Sequence, residues 1–304
     1  MGVIFHIFLL DLQSDYNARW VGLKLRIAGM IFIVVLVALL IERFFDWSHL
    51  RQWGWFGACE RFVMQKIPGG SPYLVLAASI VPFMFAAGIG HYLFADVLYG
   101  FPWLLVQLAV VLYCFGPKNL WADSFAAMNA VSKGDAQAAA DKLQSTFQVS
   151  VSQPEALQKE LINQLFISAN QRIFAVVFWY VILGLPGALL YRLVAISSQV
   201  TTTPEINSPA STIMQILDWL PVRIFSFLFA LGGNFTRVFT SWRKHVSMGL
   251  DGNDVLLSEC GLAAVSGDSE NLPRDGSLEK SAIGLLDRVF VIVLIIVLGI
   301  ALVT

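Results

Sequence analysis

Four ionisable residues sit where an apolar chain should avoid them. Glu42 and Arg43 close the run "GMIFIVVLVALLIERFF" at 29–45, and Asp218 and Arg223 open the run "ILDWLPVRIFSFLFALGG" at 216–233, with Pro221 between them. A charge at mid-membrane costs about 2.5–3.5 kcal/mol on insertion scales and much less near an interface. Residues kept against that cost pair with one another or mark ligand and ion sites. Two readings of the second run stand side by side. In one, Asp218 caps the first turn of a membrane helix. Pro221 then falls in that turn, where no ladder donor is lost, and Arg223 snorkels to the interface. In the other, Asp218 and Arg223 face the bundle interior and line a polar pocket. Glu42 and Arg43 carry the same alternatives, interface anchor or ligand contact. As helix neighbours they point about 100° apart, so they need not pair with each other. These four are the candidate ligand-binding residues.

Other chemistries lack their residues. Cys59, Cys114 and Cys260 are far apart with no CxxC and read as free thiols. His6, His49, His91 and His245 form no HxxxH or HExxH pair, so no metal site is expected. There is no Walker A loop and no G-x-S-x-G elbow. No catalytic residue is assigned and no cofactor is expected. The net charge is −1 with no basic stripe interleaved with aromatics, so nucleic acid is not a partner.

The elements that position these residues are membrane helices. Of 304 residues, 57% are hydrophobic and 13% charged, and the mean hydropathy is +0.69. Soluble domains carry about 25% charged residues, so the chain cannot cover a water-facing surface and the lipid bilayer is its first partner. Apolar runs at 29–45, 73–94, 98–115, 173–196, 216–234 and 288–304 predict about six spans in an all-α polytopic bundle. Between the third and fourth, Ser132–Asp135 interrupts two helical patterns; "AQAAADKLQ" with Asp135 as N-cap, and 152–172 with Ser152 as N-cap, read as short cytosolic helices. Residues 197–215 read as a polar loop, and 249–280 as a Gly-, Ser- and Asp-rich, partly disordered one. Trp47, Trp53, Trp55, Trp179 and Trp219 read as interfacial belt residues rather than a ligand cage.

Positive charge sets the topology. Lys and Arg concentrate in 43–72, 116–172 and 235–288, while 197–215 has none. Six crossings put the three basic stretches inside. If 216–234 did not cross, the 235–288 cluster would fall outside, which argues that it crosses. Residues 1–29, an N-terminal extension carrying Arg19, Lys24 and Arg26, break the rule; translation from Met30 would remove the conflict.

Three stretches carry a resemblance. "VLVALLIERFFDWSHLRQWGWF" (35–56), with its Glu42-Arg43-Phe44-Phe45 element, resembles the start of the AmpE family of bacterial inner-membrane proteins. "AVVFWYVILGLPGALLYRL" (175–193) resembles that family's A-P-L-F-W…G-G-x-G…Y-R stretch, and 216–233 its V-L-D-W-V-P-V-R-L element. The same elements are similar, more loosely, to CobD/CbiB, the membrane synthase that attaches an aminopropanol moiety to cobyric acid. "VSKGDAQAAADKL" (131–143) resembles that synthase's L-x-x-G-D-x-x-A-A-R-x-x-L helix. The synthase's L-G-D-P…H-P-V element and its acidic run before the fourth span are missing; 162–174, "INQLFISANQRIF", holds no acid. The resemblance covers residue 30 to the end. It implies a non-catalytic regulatory modulator in the inner membrane, linked to β-lactamase induction and cell-wall recycling and associated in function with the AmpD amidase. An unknown small ligand or membrane protein is the further partner. A synthase-like ligase is the alternative, and a small transporter the second; the repeats that a transporter would favour are not evident.

Overall fold

The computed structural model describes residues 28–46, 48–94, 101–116, 120–121, 141, 154–199, 204–266 and 277–303. The expected N-terminal extension up to residue 27, the Asp135 cap with the helix after it except Asp141, and the Ser152 cap lie outside these residues. Among the described residues every regular element is helical, as the apolar runs require. In chain order they are α1 (28–44), α2 (Gly54–Lys66), α3 (Pro72–Phe94), α4 (Phe101–Cys114), α5 (Pro154–Ala169), α6 (Ala175–Leu183), α7 (Leu185–Gln199), α8 (Pro204–Gly232), α9 (Phe235–His245), α10 (Asn253–Val265) and α11 (Ser277–Val303). Proline opens α3, α5 and α8, the position where its fixed φ helps and its missing N–H costs nothing.

Four helical stretches are long and apolar enough to cross a bilayer: Pro72–Phe94, Leu157–Leu183, Ile206–Gly232 and Ser277–Val303, with Phe101–Cys114 a shorter apolar helix. This is a helical membrane bundle, as the composition predicts. The stretches differ in burial. Only 22% of the most apolar window of α3 is buried inside the protein, against 61% for Leu157–Leu183. Phe85, Ile89 and Tyr92 of α3 and Ile295 and Leu302 of α11 are exposed, an apolar face of the kind lipid covers. Leu157–Leu183 instead packs most of its length against neighbouring helices. Phe166 and Phe174 meet Phe229 and Phe225 of α8 at 5.0 and 4.4 Å between ring centroids, and Phe225 reaches Phe290 of α11 at 6.0 Å.

The expected fourth span, 173–196, does not run through. A π-turn at Asn170–Phe174 joins α5 to α6 without a break, so the segment expected to be a separate cytosolic helix continues into the apolar run. The break comes at Gly184, whose φ of 67° is the left-handed conformation glycine adopts without penalty. The chain then folds back. At Gly187 a Cβ would strike the Trp179 carbonyl and the Leu183 side chain, so α6 and α7 approach as closely as a hydrogen atom permits. Both feet of this hairpin stand at one end of the bundle. At the first, the Arg172 carbonyl accepts from the Gly116 N–H at 3.2 Å; at the second, Ser197 bonds Glu60 of α2 at 2.6 Å. Its tip, Val181–Leu185, shares a cavity of about 290 Å³ with Met30, His91 and Trp103 at the opposite end.

Helix α8 departs from expectation too. It begins at Pro204, so 204–215 is helix rather than loop, and Asp218 and Pro221 lie deep inside it rather than at its start. Asp218 therefore cannot be an N-cap. Two parts of α8 approach the Arg43 end of the bundle. Its first half faces Ser198 and Gln199, and Gly232 packs against Leu285 and Val289, on either side of Asp287, the partner of Arg43. Residues 253–265, expected to be part of a disordered loop, form α10.

Candidate functional site

The four predicted residues fall into separate groups of buried or half-buried polar side chains. Glu42 (1% exposed) turns inward and takes both terminal nitrogens of Arg51 (4% exposed) on its two oxygens. Arg51 also donates to the Gly116 carbonyl at 2.9 Å. This forked pair ties the end of α1 to the start of α2 and the end of α4. Arg43, one residue on and about 100° round the helix, makes a fork of its own with Asp287 of α11, 3.1 Å on each arm. The Trp121 indole N–H donates to the same Asp287 at 3.0 Å. The two neighbours thus staple α1 to different helices.

Arg223 (7% exposed) is held by neutral acceptors. Its guanidinium donates to the carbonyls of Trp219 (2.8 Å), Met248 (2.6 Å) and Val246 (3.1 Å) and to Asn253 Oδ1 (3.1 Å), while lying 4.1 Å from the Trp219 ring centroid. The 246–253 turn ends α9 and starts α10, so Arg223 fastens that connection to α8. Asn253 donates in turn to the Gln215 carbonyl at 3.0 Å.

Asp218 (5% exposed) has a different environment. Its Oδ1 accepts from Asn170 of the π-turn at 3.0 Å and from the Tyr191 hydroxyl of α7 at 2.7 Å. No partner for Oδ2 and no cation beside the carboxylate exist among the described residues. Asp218 lines a cavity of about 250 Å³ with Asp251, Asp254, Asn253, Gln171, Gln199 and Gln215. Burial raises the Asp254 carboxyl above its ordinary range. The lining is acids and amides, a surface suited to a ligand that donates hydrogen bonds or carries positive charge.

The structure therefore brings Asp218 and Arg223 to one helix and opposite sides of Asn253, and leaves Glu42 and Arg43 in two structural forks. Reasoning from sequence missed Arg51, Asp287, Asn170, Tyr191 and Asn253. Arg51, Asp287, Asn170 and Asn253 lie outside the expected spans, and Tyr191 stands in the stretch that carried the family resemblance. Of the tryptophans expected in a belt, Trp55 and Trp219 are exposed, whereas Trp53 is buried against Tyr113 with ring centroids 4.3 Å apart. Cys59, Cys114 and Cys260 are free; burial pushes the Cys260 thiol up to about 12.

Known proteins share this chain's pattern. Residues 30–304 match the family described as regulatory signalling modulator protein AmpE. A cobalamin biosynthesis protein CobD from Chromobacterium violaceum is 23% identical over 68% of this chain and 71% of its own length. A second CobD, from Stutzerimonas stutzeri, is 22% identical over 50% of this chain and 52% of its own length. Protein AmpE of Shigella flexneri is 24% identical over 48% of this chain and 56% of its own length. The chain thus spans about half the length of the latter two. No solved structure matches.

Proposed function

The chain belongs to the AmpE family, and from that premise we propose that it is a multi-pass inner-membrane modulator that binds a small ligand beneath Asp218 and links it to β-lactamase induction. The observation that carries this reading is the contrast among its charges. Glu42, Arg43 and Arg223 are spent on joining helices, whereas Asp218 presents a carboxylate without a counter-charge to a cavity. A buried carboxylate left in that state destabilises the fold, and a ligand that neutralises it recovers that loss. Asp218 touches both the π-turn and the returning helix α7, so occupancy reaches the whole hairpin. Functional association with the AmpD amidase is part of the same reading, carried over from the family.

Asp218→Asn tests it. Asparagine keeps an oxygen for Asn170 and Tyr191 and removes the charge. We expect normal membrane abundance with altered β-lactamase inducibility. If inducibility in the variant and in a gene deletion both equal wild type, the reading fails. The CobD likeness over 68% of the chain favours a synthase-like ligase as the second reading. Complementation of a strain lacking the cobinamide synthase would replace the first reading with the second; we expect none, because the acids before the hairpin are missing.

A further inference from the structure

Helix α9, "FTRVFTSWRKH", carries three cations, one histidine and no acid. Asn234 fixes its start by accepting from the Arg237 N–H at 3.2 Å. One face is spent on the protein. Val238 and His245 are buried, the Trp242 indole N–H donates to the Arg223 carbonyl of α8 at 3.0 Å, and Arg237 donates to the Ser266 carbonyl at the end of α10 at 2.8 Å. The rest of the helix divides in two. At about 100° per residue, Phe235, Phe239 and Trp242 fall within an arc of about 60°. Their rings form a column, 5.7 Å apart and 8° from parallel at the first step, 6.3 Å and 13° at the second. Phe235 is 50% and Phe239 38% exposed. Beside this edge Thr236, Thr240, Arg243 and Lys244 are exposed. The Arg243 and Lys244 side chains have no partner among the described residues.

Two observations say what covers the column. First, it is continuous with an apolar surface of α8. Phe227 meets Trp242 edge-on at 5.5 Å, and Phe227 shares one stripe of α8 with Ile216, Leu220 and Leu231, all three exposed. A bundle built for a bilayer turns such a stripe to lipid. Second, the free charges next to the column are both positive. A helix with an apolar edge, a basic polar face and little overall hydrophobicity lies in the plane of the membrane interface. There its rings reach the acyl boundary and its long cations extend to the headgroups. We propose that α9 is such an interfacial helix, with Phe235, Phe239 and Trp242 in the lipid and Arg243 and Lys244 selecting anionic phospholipid. This surface goes beyond the cavity under Asp218, and no residue of α9 lines that cavity.

The experiment uses the full chain in nanodiscs, in a cysteine-free background, with the fluorophore NBD attached to Phe235→Cys on the aromatic edge or to Thr240→Cys on the polar face. Aqueous dithionite should reduce the label at 240 quickly and the label at 235 slowly. Spin-labelled lipid, added as a small fraction of phosphatidylcholine nanodiscs, should quench the label at 235. Spin-labelled phosphatidylglycerol should quench it with a relative association about 5-fold or more above that of spin-labelled phosphatidylcholine, since each cation near an anionic surface contributes about that factor. Arg243→Gln with Lys244→Gln should bring the ratio to about 1 and leave Tm in neutral detergent unchanged. Equal reduction at 235 and 240 without lipid quenching puts α9 clear of the bilayer and overturns the proposal. A label at 235 shielded from dithionite yet untouched by either lipid means that protein covers the column, and overturns it as well. So do equal quenching by the two lipids, a preference that survives in the double variant, and a fall in that variant's Tm, which would make the two cations structural. Asp218→Asn should leave the lipid preference unchanged, which separates failure here from failure of the reading for the Asp218 cavity.

Discussion

Arg223 and Arg192 are both buried arginines on apolar helices, and the fold treats them in opposite ways. Arg223 is surrounded by carbonyl oxygens of its own helix and of the 246–253 turn. Those acceptors exist because a helix crossing meets a connection there, and backbone groups at such a turn need donors. Arg192 lies against the smooth wall of α4, where Cys114 supplies no acceptor of comparable strength. The difference teaches that an arginine in an apolar segment is informative only once its partners are known. Arg223 was conspicuous in the sequence because Asp218 and Pro221 flank it, yet its chemistry is internal. Arg192, inconspicuous at the end of "GALLYR", is the one for whose Nε no partner exists among the described residues.

The comparison depends on both arginines standing at one end of the bundle, and the largest expected effect tests that placement. With 173–196 folded back as a hairpin and residues 211–218 and Gly232 of α8 approaching the Arg43 end, we propose four crossings: α1, α3, α4 and α11. In a cysteine-free background, Cys introduced at Gln65, Ser208 or Tyr92, all exposed positions, should label in two classes. Gln65→Cys and Ser208→Cys should behave alike and opposite to Tyr92→Cys towards an impermeant maleimide. Ser208→Cys labelling with Tyr92→Cys would restore six crossings and separate the two arginines.

The same geometry explains which parts of the fold were legible. Helical class and membrane character followed from apolar runs, and the three basic stretches remain on one side with four crossings as with six. Removing one crossing would have reversed 235–288; removing two leaves it where it was and reverses only 197–215, which has no Lys or Arg to object. Charge counting could not see this. The hairpin was hidden because Gly184 and Gly187 read as ordinary membrane glycines, and only the packing of Gly187 on Trp179 reveals the turn. The polar partners were hidden for a related reason: Arg51 and Asp287 reach Glu42 and Arg43 from 9 and 244 residues away, and no local pattern encodes such a distance.

Stability of the two internal solutions comes next. Glu42→Gln leaves Arg51 buried with a weakened fork, and breaking a buried pair costs about 3–5 kcal/mol. We expect low membrane abundance for Glu42→Gln, and recovery when Glu42→Leu and Arg51→Met are combined, since an apolar pair of similar volume has no charge to strand. Arg223→Ala removes four hydrogen bonds of about 0.5–1.5 kcal/mol each, a loss on the order of 3 kcal/mol. Arg223→Lys should fall between wild type and Ala, keeping the charge but losing the planar fork. Were Arg223→Lys equal to wild type in abundance, the four bonds would carry no weight and the contrast with Arg192 would collapse.

The smallest expected effect concerns Glu60, the residue that receives the second foot of the hairpin. Its carboxyl is buried in α2, and burial raises its pKa above the ordinary 4.5, outweighing the bond from Ser197 and the charge of Arg61. The geometry agrees with a protonated acid. Ser197 Oγ lies 2.6 Å from Glu60 Oε1 and 3.0 Å from the Leu193 carbonyl, and one hydroxyl hydrogen cannot serve both. A protonated Glu60 donates to Ser197, which frees the serine hydrogen for Leu193. In the unfolded chain Glu60 loses its proton near pH 4.5, whereas the folded protein holds it to higher pH. Stability from this group is therefore unaffected below 4.5 and falls as pH rises from there to the folded pKa, after which the loss is constant. Glu60→Gln mimics the protonated form at every pH. Thermal unfolding of wild type and variant should coincide in acid and diverge towards neutrality, with Glu60→Gln the more stable by a small margin. Were the variant less stable at neutral pH, the foot of α7 would rest on an ionised carboxylate, and the Arg43 end of the bundle would hold one more matched charge than the contrast between Arg223 and Arg192 allows.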